Sequence, residues 1–209
     1  MDAALAHLAR PRSPGQAVLV VHSWWGMTES FTDYADRVAG EGFLAGCVDL
    51  YGGRLAGTAE EARELRRAPR REPMLRQLGR GIDALLADAS CSGEKVAVVG
   101  FSMGGHWAVW LAQHDPRVSA VVLYHACRSA PAIDGPPVLA HFAEADAFVT
   151  TAGRRRMERS LVRSGRTLEA YDYPATGHWF AESAHAAYDP AAADLAFVRT
   201  VDFLRSHAA

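Results

Sequence analysis

Apolar residues in this chain fall mostly in short unbroken runs rather than in strict alternation with polar ones. Six runs stand out: Ala17 to His22, Phe43 to Asp49, Lys95 to Gly100, Val118 to Tyr124, Pro137 to Ala143 and Thr167 to Tyr173. A strand covered on both faces carries apolar side chains at nearly every position, so these runs predict parallel strands sandwiched between helices. The intervening segments change period. Ser30 to Glu41 brings Phe31, Tyr34, Ala35 and Val38 onto one helical face. Met74 to Ala89 does so with Leu75, Leu78, Ile82, Leu85 and Leu86, and Ala191 to Ser206 with Leu195, Val198, Val201, Phe203 and Leu204. Thr58-Ala59-Glu60-Glu61 starts a helix like a capping box displaced by its acidic neighbours, and Pro69 and Pro73 punctuate the stretch beyond it.

No repeat, linker or low-complexity block divides the chain, so residues 1–209 are expected to form one doubly wound α/β domain with a mostly parallel sheet of about six to seven strands. With 209 residues, 49% of them hydrophobic and 22% charged, such a domain has a substantial core. A net charge of −2 at pH 7 gives no global positive field for nucleic acid. The arginines at Arg63 to Arg71 and Arg154 to Arg156 are interleaved with Glu64 and followed by Glu72 and Glu158, as on solvated helix faces. Cys47, Cys91 and Cys127 form neither an even set nor a Cys-x-x-Cys pair, which fits core thiols in a reduced compartment. Met1 to Gln16 has no apolar core of signal length, and no uncharged stretch nears the roughly 18 residues of a membrane span. The expectation is a soluble cytoplasmic protein.

Chemistry enters at Gly100-Phe101-Ser102-Met103-Gly104, which follows the third apolar run and leads into a helix-like stretch from Gly105 to Gln113. Strand, sharp turn and helix make a nucleophile elbow: the serine is held in a strained conformation, and glycines two places either side let strand and helix close around it. Five letters of this kind recur by chance, so the context carries the inference. If the first and third runs are neighbouring strands, the elbow and the loop His22 to Gly26 share the crevice at the point where strand order reverses.

A serine hydroxyl needs a base within hydrogen-bond reach, itself oriented by a third group. The fifth run leads into Ala143-Glu144-Ala145-Asp146 and the sixth through Pro174 and Gly177 to His178, so both emerge at the same sheet edge as Ser102. The chain order Ser102, Asp146, His178 is that of elbow hydrolases. His178 has rivals in His106, His114, His125 and His141, and Asp146 in Glu144 and Asp172, all less well placed on helices, in strands or at strand ends. For the oxyanion, the Met103 amide is one natural donor and the Trp24 amide the other. Ser23, Trp25, Tyr51, Tyr124, Phe148, Trp179 and Phe180 gather at these strand ends as an expected substrate pocket with aromatic walls. No His-x-x-x-His or His-Glu-x-x-His spacing suggests a metal.

Several stretches together resemble the dienelactone hydrolase family of α/β-hydrolases: Val21-His22-Ser23-Trp24-Trp25-Gly26, Val48-Asp49-Leu50-Tyr51-Gly52-Gly53, Gly100 to Gly105, Phe142 to Asp146, Tyr173-Pro174 through His178-Trp179-Phe180, and Tyr188-Asp189. The resemblance implies a cofactor-free hydrolase of esters or lactones with Ser102, Asp146 and His178 as its triad. Three positions depart from the family pattern. Ser102 replaces the family's cysteine, and Ser23 replaces the glutamate that helps activate that cysteine. Glu182 replaces an arginine that holds a substrate carboxylate, which argues against an anionic dienelactone. The amino end differs from many α/β-hydrolases: about 16 residues before the first clear strand leave little room for an additional antiparallel hairpin, so a trimmed sheet is expected. No long insertion precedes Asp146 or His178, so no separate cap domain is expected and Tyr51 to Pro73 is the candidate mobile cover.

The sequence therefore reads as a serine hydrolase of small esters, lactones or thioesters, monomeric or homodimeric. The same triad serves an acyltransferase equally well, and a ligand-binding α/β-hydrolase fold with little turnover is the alternative from another class.

Overall fold

The computed structural model describes residues 3–67, 71–128 and 135–207. Its elements in chain order are β1 (His7–Ala9), β2 (Gly15–Val21), α1 (Glu29–Gly40), β3 (Leu44–Val48), α2 (Ala59–Arg67), α3 (Arg71–Leu86), β4 (Cys91–Phe101), α4 (Met103–His114), β5 (Val118–Tyr124), β6 (Val138–Ala145), α5 (Thr151–Arg163), β7 (Leu168–Gly177) and α6 (Pro190–His207). The seven strands form one sheet in the order β1-β3-β2-β4-β5-β6-β7, parallel except for β1. This is the α/β-hydrolase fold.

Alternation along the strands splits the core in two. Val18, Val20, Ala97 and Val99 face α1 and α6, packing on Phe31, Tyr34, Phe197 and Val201. Ala17, Leu19, Val21, Val96 and Val98 face the other way, with Leu78, Ile82, Ala108, Leu111 and Leu161 of α3, α4 and α5. Each fully buried large side chain contributes about 1.5–3 kcal/mol, so both faces must be apolar and the strands read as continuous runs.

Differences from the sequence reading have local causes. The strand β1 was not anticipated; its three residues carry no pattern of their own and are held by antiparallel pairing of His7 with Cys47 through Ala9 with Ala45. Thr58 and Glu61 form an undisplaced capping box, the Glu61 amide donating to Thr58 Oγ1 and the Thr58 amide to the Glu61 carboxylate, both at 3.2 Å. Pro73 does not break a helix but sits in the first turn of α3, where a missing N–H costs nothing; Pro69 lies outside the described residues. On α6, Leu195 and Val198 are exposed, and Ala196, Phe197, Thr200, Val201 and Leu204 make the buried face instead. The helix is thus rotated from the expected stripe.

Strand β2 neighbours β3 on one side and β4 on the other, with Val21 opposite both Val48 and Gly100. Strand order reverses between β2 and β4, so a crevice opens at their carboxyl ends.

Candidate active site

Ser102 stands between β4 and α4 with φ 49° and ψ −106°, a region that non-glycine residues adopt only under constraint. The constraint is close approach. A Cβ at Gly104 would overlap the Val21 carbonyl, and one at Gly100 would overlap the Gly104 carbonyl, so both positions must lack one. The Ser102 amide donates to the Tyr124 carbonyl at 2.9 Å, locking the turn to β5.

The hydroxyl thus held lies 2.8 Å from His178 Nε2. His178 Nδ1 is 2.8 and 2.7 Å from the two Asp146 oxygens. A carboxylate only accepts, so Nδ1 carries the proton and Nε2 is left to accept from Ser102. Asp146 also accepts the amides of Phe148 and Val149, each at 2.8 Å. Burial alone would raise the Asp146 carboxyl, but the His178 hydrogen bond, its charge and these two amides outweigh burial and hold it below the usual carboxylate range. A register shift between β6 and β7 after Ala143, with Ala175 at φ 57°, lets both strand ends curl toward Ser102.

The rivals are engaged elsewhere. Glu144 accepts the Ala175 amide at 2.8 Å, and Asp172 pairs with Arg154. His141 is buried between the Tyr173 hydroxyl at 2.8 Å and Thr200 Oγ1 at 3.0 Å, and burial pushes it down to about 3. His114 stacks on Trp110. The Met103 amide opens α4, where a helix's first N–H groups have no intrahelical acceptor. Trp24 lies across the crevice in the loop after β2.

A cavity of about 470 Å³ opens over this chain of hydrogen bonds, within the usual range for small-molecule sites. Trp24, Phe148 and Trp179 line it with Ser102, Met103 and His178. Trp24 stacks on Trp179 at 6.0 Å, and Phe148 packs 4.7 Å from the His178 ring. The other expected pocket residues stand behind the wall. Tyr124, whose strand position points toward α1 and α6, and Phe180, in the turn after β7, are core side chains; the Tyr124 hydroxyl meets Thr200 at 2.9 Å. Tyr51 donates to the Met103 sulfur at 3.1 Å, Trp25 packs on Trp179 and His185, and Ser23 is buried. Sequence reading missed Arg66, Met74, Trp107, Cys127 and Arg128 and weighed His106 only as a rival base; these line the cavity from α2, α3, α4 and the loop after β5. Helical position relative to the crevice, invisible without the fold, decides their place. Cys127 is therefore not a core thiol; only Cys47 is fully buried among the three.

His125, which the sequence offered only as a rival base, also stands in the cavity wall. It is fully buried at φ 38°, its amide donating to the His141 carbonyl at 2.8 Å and its ring 4.7 Å from that of His178. Its Nε2 lies 3.5 Å from Glu182, a carboxyl only 2% exposed that accepts the Ser23 hydroxyl at 2.8 Å. Burial pushes Glu182 up to about 8 against the lowering by Ser23, and burial pulls His125 well below its ordinary value. Burial thus favours the neutral form of both, which avoids burying an ill-matched ion pair. Among the described residues no three His, Cys, Asp or Glu side chains group as metal ligands.

The dienelactone hydrolase family's sequence model matches residues 1–208. The chain belongs to the dienelactone hydrolase family. Among its relatives are Carboxymethylenebutenolidase 1 of Cupriavidus pinatubonensis, 27% identical across 95% of this chain and 90% of that protein, and Protein usf of Aquifex pyrophilus, 27% identical across 96% and 92%. A solved structure, the dienelactone hydrolase-like promiscuous phosphotriesterase P91 from metagenomic libraries, superposes with a TM-score of 0.79 at 21% identity, covering 95% of this chain and 87% of that one. As a dienelactone hydrolase family member the chain is a carboxylic ester hydrolase. No described helix is long and apolar enough to cross a membrane.

Proposed function

We propose that this dienelactone hydrolase family member cleaves small esters, lactones or thioesters through an acyl-enzyme on Ser102. The observation that carries the reading is the unbroken hydrogen-bond chain from Ser102 through His178 to Asp146 at the floor of the cavity. His178 Nε2 takes the hydroxyl proton as Ser102 Oγ adds to the substrate carbonyl carbon. The carbonyl oxygen becomes an oxyanion facing the Met103 and Trp24 amides. Collapse breaks the bond to the leaving oxygen or sulfur, which takes the proton from His178. Water, deprotonated by His178, then adds to the acyl carbon and frees Ser102. Asp146 keeps the proton on Nδ1 throughout.

The test is steady-state hydrolysis of p-nitrophenyl acetate and butyrate by wild type, Ser102→Ala and His178→Ala. Both variants, folded, are expected to lose about 10⁴–10⁶-fold in kcat. Retained turnover in either would overturn the assignment.

The cavity wall also revises the expectation against anionic substrates. Glu182 does not face the cavity and is neutral at pH 7, whereas Arg66 and Arg128 do line it. A carboxylate-bearing lactone is therefore admitted. Arg66→Ala is expected to raise KM about fivefold for such a lactone and to leave a neutral ester unchanged, the scale of a partly exposed charge contact.

A further inference from the structure

Ser23 precedes Trp24, whose amide the proposed reaction assigns to the oxyanion, and it is pinned at two points. Its carbonyl accepts from His22 Nδ1 at 2.6 Å, and its hydroxyl donates to Glu182 at 2.8 Å. The Ser23 carbonyl and the Trp24 N–H belong to one planar peptide unit, so whatever holds Ser23 aims that N–H. His22 in turn accepts the Leu50 amide at 3.0 Å, tying the loop to the end of β3. Glu182 ties it to the other side. It lies four residues after His178 in a turn closed by its own amide on the Trp179 carbonyl at 3.1 Å and by the His185 amide on its carbonyl at 2.9 Å. The second carboxyl oxygen makes no hydrogen bond among the described residues and faces His125, which packs on His178. A buried carboxyl with one partner is costly to keep unless the contact it makes matters.

We infer that Glu182 is a positioning residue for the oxyanion side of the site: through the Ser23 hydroxyl it fixes the peptide carrying the Trp24 amide relative to the loop carrying His178. This inference rests on the acyl-enzyme reading above and adds to it how the second oxyanion donor is held. Glu182 touches no reacting atom. Its side chain acts as a neutral acceptor, so glutamine, which offers Ser23 the same oxygen, replaces it.

The test is a kinetic series on p-nitrophenyl butyrate, with thermal midpoints for each protein: wild type, Glu182→Gln, Glu182→Leu, Ser23→Ala, Ser23→Ala/Glu182→Leu and Ser102→Ala. Glu182→Leu and Ser23→Ala are expected to lose about 10²-fold in kcat with KM within about twofold, the signature of a misplaced transition-state contact. Glu182→Gln should stay within about threefold of wild type, and the double variant should be no worse than the poorer single one. Should Glu182→Leu not fold, Ser23→Ala, which removes only a hydroxyl, carries the test. Wild-type kcat in Ser23→Ala, a rise in KM in place of the fall in kcat, failure of glutamine to rescue, or additive losses in the double variant would each overturn the inference. Ser102→Ala separates the two levels: if it is inactive while Ser23→Ala and Glu182→Leu turn over like wild type, the inference alone fails; if it is active, the acyl-enzyme reading fails and the inference with it.

Discussion

Asp146 and Glu182 are two carboxyls in the shell around His178, and the protein holds them in opposite states. Asp146 takes the His178 N–H and two backbone amides and stays ionised below the usual range. Glu182, the more deeply buried of the two, takes one hydroxyl and is pushed up to about 8. Burial raises both carboxyls; it prevails at the fully buried Glu182, whereas at the less buried Asp146 the His178 hydrogen bond and charge and the two amides outweigh it. In the proposed reaction Asp146 stabilises the imidazolium, and in the proposed positioning role Glu182 holds the Ser23 loop.

The most severe way to break this contrast is to neutralise the ionised member. Asp146→Asn is expected to lose about 10⁴-fold in kcat with the fold intact, because an amide at that place no longer selects the Nδ1–H tautomer. Steady-state ester hydrolysis with circular dichroism checks it. Glu182→Gln, the same chemical change at the other carboxyl, leaves kcat within about threefold of wild type.

The neutral member shows itself in stability. Its pKa is raised from 4.5 to about 8, so the folded state keeps a proton that the unfolded chain has lost. That contribution is full below about pH 4.5 and disappears as pH rises through about 8. Buried neutral histidines such as His141 act oppositely, with stability present above about pH 6.5 and lost as pH falls. Between about pH 6.5 and 8 the Glu182 slope is left on its own. Wild type should lose about 1–2 kcal/mol there, a fall in Tm of roughly 2–4 °C per kcal/mol, and Glu182→Gln should be flat. Scanning calorimetry across that window is the check; equal slopes in the two proteins would remove the contrast.

A smaller effect isolates the elbow from both carboxyls. Ser102→Gly removes the side chain from a φ of 49° and should raise stability by about 1 kcal/mol while abolishing turnover, with the pH slope of wild type retained. Loss of stability would mean that the Ser102 hydroxyl, not the backbone, dominates there.

How much of this was legible in the chain depends on the range of the interactions. The six parallel strands could be read because each carries its own signal, a run apolar on both faces, and the strand–turn–helix around Ser102 because Gly100 and Gly104 have local work to do. Ser102, Asp146 and His178 could be set in order because each ends a recognisable strand. Tyr124 was misplaced in the pocket because a strand end does not reveal which face its last side chain takes, and Phe180 because the turn after β7 folds it back into the core. Glu182 was visible only as a departure from a family pattern. Its burial depends on Ser23, 159 residues away, and on His125 from a third strand, and no local pattern encodes such a meeting. Arg66 and His106 reach the cavity by helix placement alone.

The central claim is the covalent step on Ser102. Mixing wild type with excess p-nitrophenyl butyrate, quenching in acid within the first turnovers and mapping the peptides by mass spectrometry measures it directly. One butyryl group is expected, on the peptide containing Ser102 and absent in Ser102→Ala. Turnover without any acyl peptide, or acyl found on Cys127 in the same cavity, would contradict it.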